Sequence, residues 1–213
     1  MNKFIAKYSI YLWFLRKMIG KVNTVLDLGC GEGEFMESLQ YGRNWEITGI
    51  DVDQRYLNKA KTKKIYKQLI KGDLIKVLEK LIKEKKQFDL VFCSQVIEHL
   101  KKEEGEKLLD LLEKVVLKKI FISTPNGFMH QPEEYFDDNP YQIHRSGWEE
   151  ADFKKRGYSV YGVGFIPIWS EGGIAHLSNK ILFVFSYVLS YLLSPIIYFN
   201  PYLASGLFCI KKI

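Results

Sequence analysis

Short apolar runs alternate with helical patterns through most of the chain, and this alternation limits the fold more than any other feature of the sequence. Repeated strand–helix–strand units are typical of a parallel sheet with helices on both faces. We therefore predict a doubly wound, three-layer α/β/α fold. The predicted strands are Thr24–Leu28, Glu46–Ile50, Tyr66–Ile70, Phe88–Cys93 and Lys119–Ser123, and the predicted helices between them are Glu34–Gln40, Gln54–Lys63, Leu74–Lys85 and Glu103–Val116.

Polar side chains follow the predicted strands at the points where each one ends. In an open parallel sheet, ligands bind beyond the carboxyl ends of the strands, near the point where the strand order reverses. The ends of these strands therefore predict a ligand site, and the polar residues there are Asp27, Asp51, Asp73, Ser94, Gln95, Thr124 and Asn126.

The loop after the first predicted strand, "VLDLGCGEGEF", is rich in glycine and also acidic. A dinucleotide fingerprint aligned on its first two glycines requires glycine at position 34, which is Glu34. Because Asp27, Glu32 and Glu34 disfavour phosphate, we expect a cationic ligand. S-adenosylmethionine carries a sulfonium and an ammonium and no phosphate. The glycines that give it room to approach the backbone are Gly29, Gly31 and Gly33.

Two further acids are candidates for the adenosine part of that ligand. Asp51 ends the second predicted strand and lies near the offset from the glycines that is typical of a ribose-binding acid. Asp53 is expected to cap the helix that starts at Gln54. Asp73 ends the third strand, where it could accept from the adenine amino group or cap the next helix.

Three motifs in order, "VLDLGCGEGEF", "GIDVD" and "FDLVFCSQVIEHL", resemble those of the class I S-adenosylmethionine-dependent methyltransferases. The last is similar to the fourth-strand motif of the small-molecule branch that includes ubiquinone-biosynthesis methyltransferases. The resemblance covers about Val22 to Gly164. It implies a Rossmann-like sheet of seven strands with the last antiparallel. The positions that match cofactor-contacting residues of the family are Gly29, Gly31, Asp51, Asp73 and Gln95.

The resemblance also implies a function and a cofactor site. We expect methyl transfer from S-adenosylmethionine to a small-molecule or lipid-linked acceptor, at oxygen. A non-catalytic module that binds the same cofactor, and a nicotinamide-dependent oxidoreductase, are the alternatives. The candidate cofactor-binding residues are Asp27, Gly29, Cys30, Gly31, Gly33, Asp51, Val52, Asp73, Leu74, Ser94 and Gln95.

Transfer to a hydroxyl group requires a general base, and histidine is the usual choice because its ordinary pKa lies near neutral pH. His144 is the first candidate because it lies late in the long loop predicted to cover the acceptor. His130 belongs to the same loop, and His99 lies just beyond the fourth strand. Each has a structural alternative. His176 lies outside every motif and is expected to be structural.

We divide the chain as one methyltransferase domain, 1–213, with three special segments. Residues 1–20 have the spacing of an amphipathic helix rather than a signal peptide. Residues 125–147 are the predicted acceptor-site loop, and 174–200 are a hydrophobic helical segment before the last strand. A short helix, Trp148 to Lys155, and a strand, Tyr158 to Phe165, are predicted between those two segments.

The cysteines and the net charge indicate where the protein is located and what it binds. Cys30, Cys93 and Cys209 include no CxxC pair, so they predict neither a disulfide framework nor a zinc site. We expect a cytoplasmic protein without a metal site. The net charge of +6 indicates either a lysine surface that is simply solvated or a surface that attracts an anionic partner. With no recognisable RNA-binding module, nucleic acid is not an expected partner.

An uncharged run extends from Ile181 to Ile210. Its length alone would fit a membrane span. However, Ser186, Ser190 and Ser194 form a small polar stripe along one helical face, where another element could pack closely. We expect a helix packed on the domain. The alternatives are a surface on a membrane or a lipidic substrate, to which the N-terminal helix could contribute, and a true span.

Overall fold

The structure is a computed structural model that describes residues 10–130, 139–170, 173–174 and 180–213. Predictions that fall on other residues, including the first nine and His176, lie outside the described residues. The strands are β1 (Thr24–Leu28), β2 (Glu46–Asp51), β3 (Tyr66–Lys71), β4 (Phe88–Ser94), β5 (Val116–Pro125), β6 (Ser159–Phe165) and β7 (Ala204–Lys212).

Helices connect most of these strands. The α-helices are α1 (Ile10–Ile19), α2 (Glu34–Leu39), α3 (Gln54–Thr62), α4 (Leu74–Lys83), α5 (Lys102–Val115), α6 (Glu150–Lys154), α7 (Ile166–Trp169) and α8 (Lys180–Phe199). Short 3-10 helices span Ile97–His99, Pro140–Gln142 and Pro201–Leu203.

The strands form a seven-stranded sheet in the order β3-β2-β1-β4-β5-β7-β6. β1 pairs in parallel with both β2 and β4, and β7 pairs antiparallel with β6. The order reverses at β1, which places the first crossover loop at the position where ligands bind in such sheets. The predicted Rossmann-like α/β fold with an antiparallel last strand is confirmed.

Two predicted boundaries were wrong for identifiable reasons. β5 begins at Val116 rather than Lys119, because α5 ends at Val115 and the strand follows it directly. The short helix begins at Glu150 rather than Trp148, because the backbone carbonyl of Trp148 accepts the N–H of Gly127 at 2.8 Å in an antiparallel bridge. A residue committed to that bridge cannot start a helix.

The chain divides into two compact units. The first comprises the described parts of Met1–Ser94 together with Glu106–Phe121 and Lys212–Ile213, and the second comprises the described parts of Gln95–Gly105 and Ile122–Lys211. The division of the chain as a single domain stays a prediction.

In the first unit, Asp89 aligns the beginnings of β1 and β4. Its Oδ2 accepts the backbone N–H of Asn23 at 2.7 Å, and its own N–H donates to Oγ1 of Thr24 at 2.9 Å. The strands then run in register to the pair Leu28 and Cys93. Because their starts are aligned, their carboxyl ends lie at one edge of the sheet, where the candidate cofactor residues follow.

In the second unit, α8 packs on β6 through its serine-bearing side. Ser186 is buried, and Oγ of Ser190 accepts the indole N–H of Trp169 at 2.7 Å. A Cβ added to Gly162 would lie 2.4 Å from the carbonyl oxygen of Ile197, so only glycine allows this approach. The opposite face of α8 is exposed. Among the described residues, no helix is both long and apolar enough to cross a membrane.

Candidate functional site

The loop between β1 and α2 adopts a backbone that only glycine tolerates easily. Gly29, Gly31 and Gly33 have φ angles of 62°, 52° and 79°. A Cβ added to Gly31 would meet no atom within 4 Å, so this position faces open space that a ligand can fill. A Cβ added to Gly33 would lie 2.9 Å from the ring of Tyr66. The first two glycines shape the loop, and Gly33 also makes room for that ring.

Tyr66, at the start of β3, is a residue that the sequence analysis missed. Its hydroxyl donates to Oδ2 of Asp27 at 2.7 Å, and its ring lies where side chains at Gly33 and Gly49 would otherwise be. The absence of side chains at these two glycines was the signal in the sequence, but it did not identify the aromatic ring that needed the space. Tyr66 fixes the direction of the Asp27 carboxyl group.

Asp27 lies at the C-terminal part of β1 and is almost fully buried. Burial raises the pKa of its carboxyl group to about 7; the hydrogen bond from Tyr66 opposes this shift, and the charge of Asp51 adds to it. A carboxyl group with this pKa ionises fully when a cation is placed beside it. The position therefore suits the ammonium group of a ligand.

Asp51 joins the two loops that follow β1 and β2. Its Oδ2 accepts the N–H of Gly31 and its Oδ1 accepts the N–H of Asp53, both at 2.8 Å. Burial raises the pKa of Asp51, and these backbone hydrogen bonds oppose the shift. Each carboxylate oxygen has a second lone pair, which is the acceptor that a ribose diol requires. Asp53 caps α3 by accepting the N–H of Arg55, as expected.

Asp73 caps α4, since its Oδ1 accepts the N–H of Lys76 at 3.0 Å. The capping role that the sequence left open is therefore present. The other candidates lie near the strand ends of the first unit: Cys30 is buried, and Val52, Leu74 and Ser94 are half-buried. Burial raises the pKa of the Cys30 thiol far above its ordinary value, so it contributes packing rather than reactivity.

Gln95 opens the second unit and has a left-handed backbone with φ 56°. Its N–H donates to the carbonyl oxygen of Ser123 at 2.9 Å, and its Nε2 donates to Oγ of the same residue at 3.3 Å. A left-handed conformation in a residue other than glycine stores strain, which is common at functional positions. The side chain itself is exposed.

Two of the candidate histidines lie together in the second unit. The ring centroids of His99 and His144 are 4.9 Å apart. Nδ1 of His144 is 2.7 Å from the carbonyl oxygen of Met129, and Nδ1 of His99 is 3.3 Å from that of Ile143. Burial, followed by the neighbouring His144, lowers the pKa of His99 to about 4. His130 is exposed.

Backbone hydrogen bonds hold the His144 segment against the 3-10 helix Ile97–His99. The N–H groups of Arg145 and Ser146 both donate to the carbonyl oxygen of Glu98, at 2.8 and 3.1 Å. Oγ of Ser146 donates to the carbonyl oxygen of Leu100 at 2.8 Å and accepts the indole N–H of Trp148 at the same distance. These bonds fix the positions of both histidines.

Comparison with known proteins finds a family match over part of the chain. Residues 25–119 match the family model described as a methyltransferase domain. A ubiquinone biosynthesis O-methyltransferase of Coxiella burnetii is 32% identical over 77 residues, which cover 36% of this chain and 32% of that protein. The match thus spans about a third of the length of the curated relatives.

Solved structures of other proteins share the fold of this chain. An S-adenosylmethionine-dependent methyltransferase from Archaeoglobus fulgidus is similar over 100% of this chain and 95% of its own, with a TM-score of 0.63 and 21% identity. The plantazolicin methyltransferase BamL, solved with a triazolic desmethylPZN analogue and S-adenosylhomocysteine, has a TM-score of 0.57 and 17% identity, over 99% of this chain and 85% of its own. These structures share the fold of this chain, and residues 25–119 resemble a methyltransferase domain.

The loop after β1 is acidic, as a cationic cofactor such as S-adenosylmethionine requires. The structure corrects which acids matter. Glu32 pairs with Lys59 at 2.5 Å, and Glu34 is exposed with Lys63 at 4.0 Å. Lys63 lies nearer to Glu37, at 3.1 Å, so Glu34 is a solvated charge; of the three acids in this loop, Asp27 is the buried one that a cation could pair with.

Glu98 is the second residue of the candidate site that the sequence analysis missed. It is only 2% exposed, and neither carboxylate oxygen has a hydrogen-bond partner among the described residues. Burial raises its pKa to about 7. Its position beside His99 in "IEHL" was visible in the sequence, but nothing there indicated that folding would leave the carboxyl group buried and unpaired.

Proposed function

We propose that the protein transfers the methyl group of S-adenosylmethionine to an oxygen atom of a small-molecule or lipid-linked acceptor. The observation that carries this proposal is the arrangement around the loop after β1. A buried carboxyl group at Asp27, a doubly anchored carboxylate at Asp51 and open space at Gly31 suit a cationic nucleoside without phosphate. Oxygen as the acceptor atom is supported by the similarity to the Coxiella burnetii relative, an O-methyltransferase.

In this proposal the sulfonium supplies the reactivity, and the protein supplies binding and alignment. Asp27 binds the cofactor's ammonium group, with its carboxyl group directed by Tyr66. Asp51 accepts from the ribose diol while its backbone hydrogen bonds hold the two loops together. Asp73 caps α4 through Oδ1, which leaves Oδ2 for the adenine amino group.

We assign the acceptor-side role to His144. When its Nδ1–H donates to the carbonyl oxygen of Met129, its Nε2 carries a lone pair that can receive the proton of a hydroxyl group or bind another electrophile. His99 is the weaker base because its pKa is lowered to about 4. His130 is exposed and belongs to no such cluster among the described residues.

A transfer assay with methyl-labelled S-adenosylmethionine tests the function. The acceptors are a panel of phenols, carboxylic acids and amines, together with a bacterial lipid extract. We expect label in ethers or esters, and we expect His144→Ala to lower turnover by about 100-fold while the affinity for the cofactor is kept. The matched variant His130→Ala removes an exposed imidazole and should retain turnover.

Several outcomes would contradict this proposal. Label only in N-methyl or C-methyl products would exclude oxygen as the acceptor atom, and unchanged turnover in His144→Ala would remove that residue from the mechanism. Cofactor binding without transfer to any acceptor would favour a non-catalytic module. The nicotinamide alternative is not favoured, because Glu34 starts α2 where a dinucleotide fingerprint needs glycine.

We also propose that the exposed face of α8 contacts a membrane surface, where a lipid-linked acceptor would be found. After its first residue, Lys180, the helix has no charged residue, and its outward face presents an apolar band. Bands of this kind bind the boundary between headgroups and acyl chains. The exposed apolar side chains are Leu182, Val184, Phe185, Val188, Tyr191, Leu192, Ile196 and Phe199.

Sedimentation with phosphatidylcholine–phosphatidylglycerol vesicles tests this contact. We expect the wild-type protein to sediment with the vesicles and Leu192→Glu to remain largely in the supernatant. Ser159→Glu adds the same charge at an exposed position of β6 and should behave as wild type. A wild-type protein that stays in the supernatant, or equal behaviour of the two variants, would contradict the proposal.

A further inference from the structure

Three side chains of different chemistry converge in the second unit. Glu98, His99 and His144 each offer one ligand atom, and these atoms all lie within 4.8 Å of one another. Glu98 and His99 are consecutive in the 3-10 helix Ile97–His99, and the hydrogen bonds to the Glu98 carbonyl oxygen bring in His144. The cluster is therefore held by the backbone rather than by contacts among the side chains themselves.

The Glu98 carboxyl group lacks the partner that a buried acid requires. It is fully enclosed, and no hydrogen bond of good geometry from the described residues reaches either of its oxygens, although the Thr124 hydroxyl and the backbone of Val96 and Glu98 lie near enough to oppose the rise of its pKa. Oγ1 of Thr124, another buried polar atom, also has no hydrogen-bond partner in this part of the chain. Buried carboxylates are normally paired with donors, cations or metals. The cluster thus has an unfilled place for a positively charged group.

Both histidines are oriented as metal ligands are. Their Nδ1 atoms lie against backbone carbonyl oxygens, those of Ile143 and Met129. A carbonyl that accepts from one ring nitrogen fixes the tautomer and leaves the other nitrogen as a ligand atom, the usual outer-shell arrangement at metal sites. With the Nδ1 of His144 engaged, its Nε2 is available as a ligand atom; His99 lies against the backbone of Ile143 and also of Gln142.

We propose that Glu98, His99 and His144 bind one divalent transition-metal ion, such as zinc or manganese, through one carboxylate oxygen and two imidazole nitrogens. Imidazole ligands favour these ions over magnesium and calcium, which prefer oxygen. Ligand atoms around such an ion lie about 3.3 Å apart, so small side-chain rotations close the cluster. Three protein ligands leave coordination positions open for an oxygen ligand.

Metal binding changes the role of His144 in the proposed reaction. In the loaded protein its Nε2 is a ligand; coordination to the ion would lower the pKa of a hydroxyl acceptor, and the proton would pass to water instead of to the imidazole. This consequence rests on the proposed function, whereas the metal site itself does not. Binding of metal is therefore measured without cofactor or acceptor.

The test is titration of the tag-free, chelator-treated full chain with zinc and, separately, manganese, followed by calorimetry and by metal analysis after gel filtration. We expect about one equivalent in the wild-type protein and an upward shift of its Tm. Glu98→Gln and His144→Ala should bind at least about tenfold more weakly. The matched controls Glu103→Gln and His130→Ala change exposed groups outside the cluster and should bind as wild type.

Circular dichroism in chelator shows whether each variant folds. If His144→Ala does not fold, Glu98→Gln still tests the proposal, because it keeps nearly the same side-chain volume as the wild-type residue. Absence of metal from the wild-type protein would overturn the proposal. Equal binding by Glu98→Gln and Glu103→Gln would also overturn it. A protein that binds metal but transfers no methyl group would contradict the proposed function and leave the metal site intact.

Discussion

The two units of the chain both bury carboxyl groups, but only the first unit supplies them with donors. Asp27 accepts from the hydroxyl of Tyr66, and Asp51 accepts from two backbone N–H groups. In the second unit, Glu98 is as deeply buried and accepts no hydrogen bond of good geometry from the described residues. This difference is the basis of the two proposals: a site for an organic cation at Asp27 and Asp51, and a metal site at Glu98.

The largest expected effect concerns the cofactor's ammonium group. Asp27→Asn removes the buried charge that pairs with it, and a hydrogen bond to a charged group contributes about 1.5–3 kcal/mol. We expect the affinity for S-adenosylmethionine to fall about 10- to 100-fold in isothermal titration. Glu32→Gln is the control: because Glu32 already pairs with Lys59, its affinity should change less than about threefold.

The comparison between paired and unpaired acids predicts opposite effects on stability. Asp51→Ala leaves the N–H groups of Gly31 and Asp53 without their acceptor, so the free energy of unfolding should fall by about 2 kcal/mol. Glu98→Met in chelator removes an acid that has no donor, and it should leave that free energy unchanged or raise it slightly.

Urea denaturation measures both variants at neutral pH. If Glu98→Met is destabilised as strongly as Asp51→Ala, the Glu98 carboxyl group has a protein partner and the contrast between the two units fails.

The pH dependence of cofactor binding follows from the pKa of Asp27, which burial raises to about 7. Below this value the folded, ligand-free protein holds a proton that the cofactor's ammonium must displace. Affinity should therefore rise roughly 25-fold between about pH 5.5 and about pH 7.5 and then level off. Asp27→Asn should show no such rise. An affinity that falls over this range would contradict the assignment.

The raised pKa of Asp27 also determines how the contribution of this residue to folding stability changes with pH. Because the folded-state pKa lies above that of the unfolded chain, the folded protein binds more protons between the two values. The contribution of Asp27 to stability is therefore present at low pH and is lost as the pH rises toward about 7. Comparing wild type with Asp27→Asn in urea titrations across this range isolates that contribution.

The smallest expected effect belongs to Tyr66. Tyr66→Phe keeps the ring against Gly33 and Gly49 but removes the hydrogen bond to Asp27, which is worth about 1 kcal/mol. The pKa of Asp27 should rise further, and the pH midpoint of cofactor binding should move upward. Tyr56→Phe, on α3, is the matched control. A midpoint that does not move would show that Tyr66 has only a packing role.

Much of the fold and part of the site could be predicted from the sequence. The alternation of apolar runs located the strands, and the strand ends located Asp27 and Asp51, because parallel strands carry ligands at those ends. Local pattern also predicted the caps at Asp53 and Asp73. These features depend on neighbours close along the chain.

Features that depend on distant pairs could not be predicted. Tyr66 reaches Asp27 from another strand, and His144 reaches Glu98 and His99 from another loop. The ion pairs of Glu32 with Lys59 and of Glu34 with Lys63 also join residues that are distant in the sequence. The metal proposal differs for this reason from the sequence expectation, which considered cysteine spacing and not a carboxyl group that folding leaves without a partner.

The most direct test of the central claim is isothermal titration of the full chain with S-adenosylmethionine and, in parallel, with NAD. The acidic, phosphate-free character of the loop after β1 predicts one bound equivalent of S-adenosylmethionine and no measurable binding of NAD at the same concentration. Binding of NAD as tight as that of S-adenosylmethionine, or no binding of S-adenosylmethionine, would contradict the account.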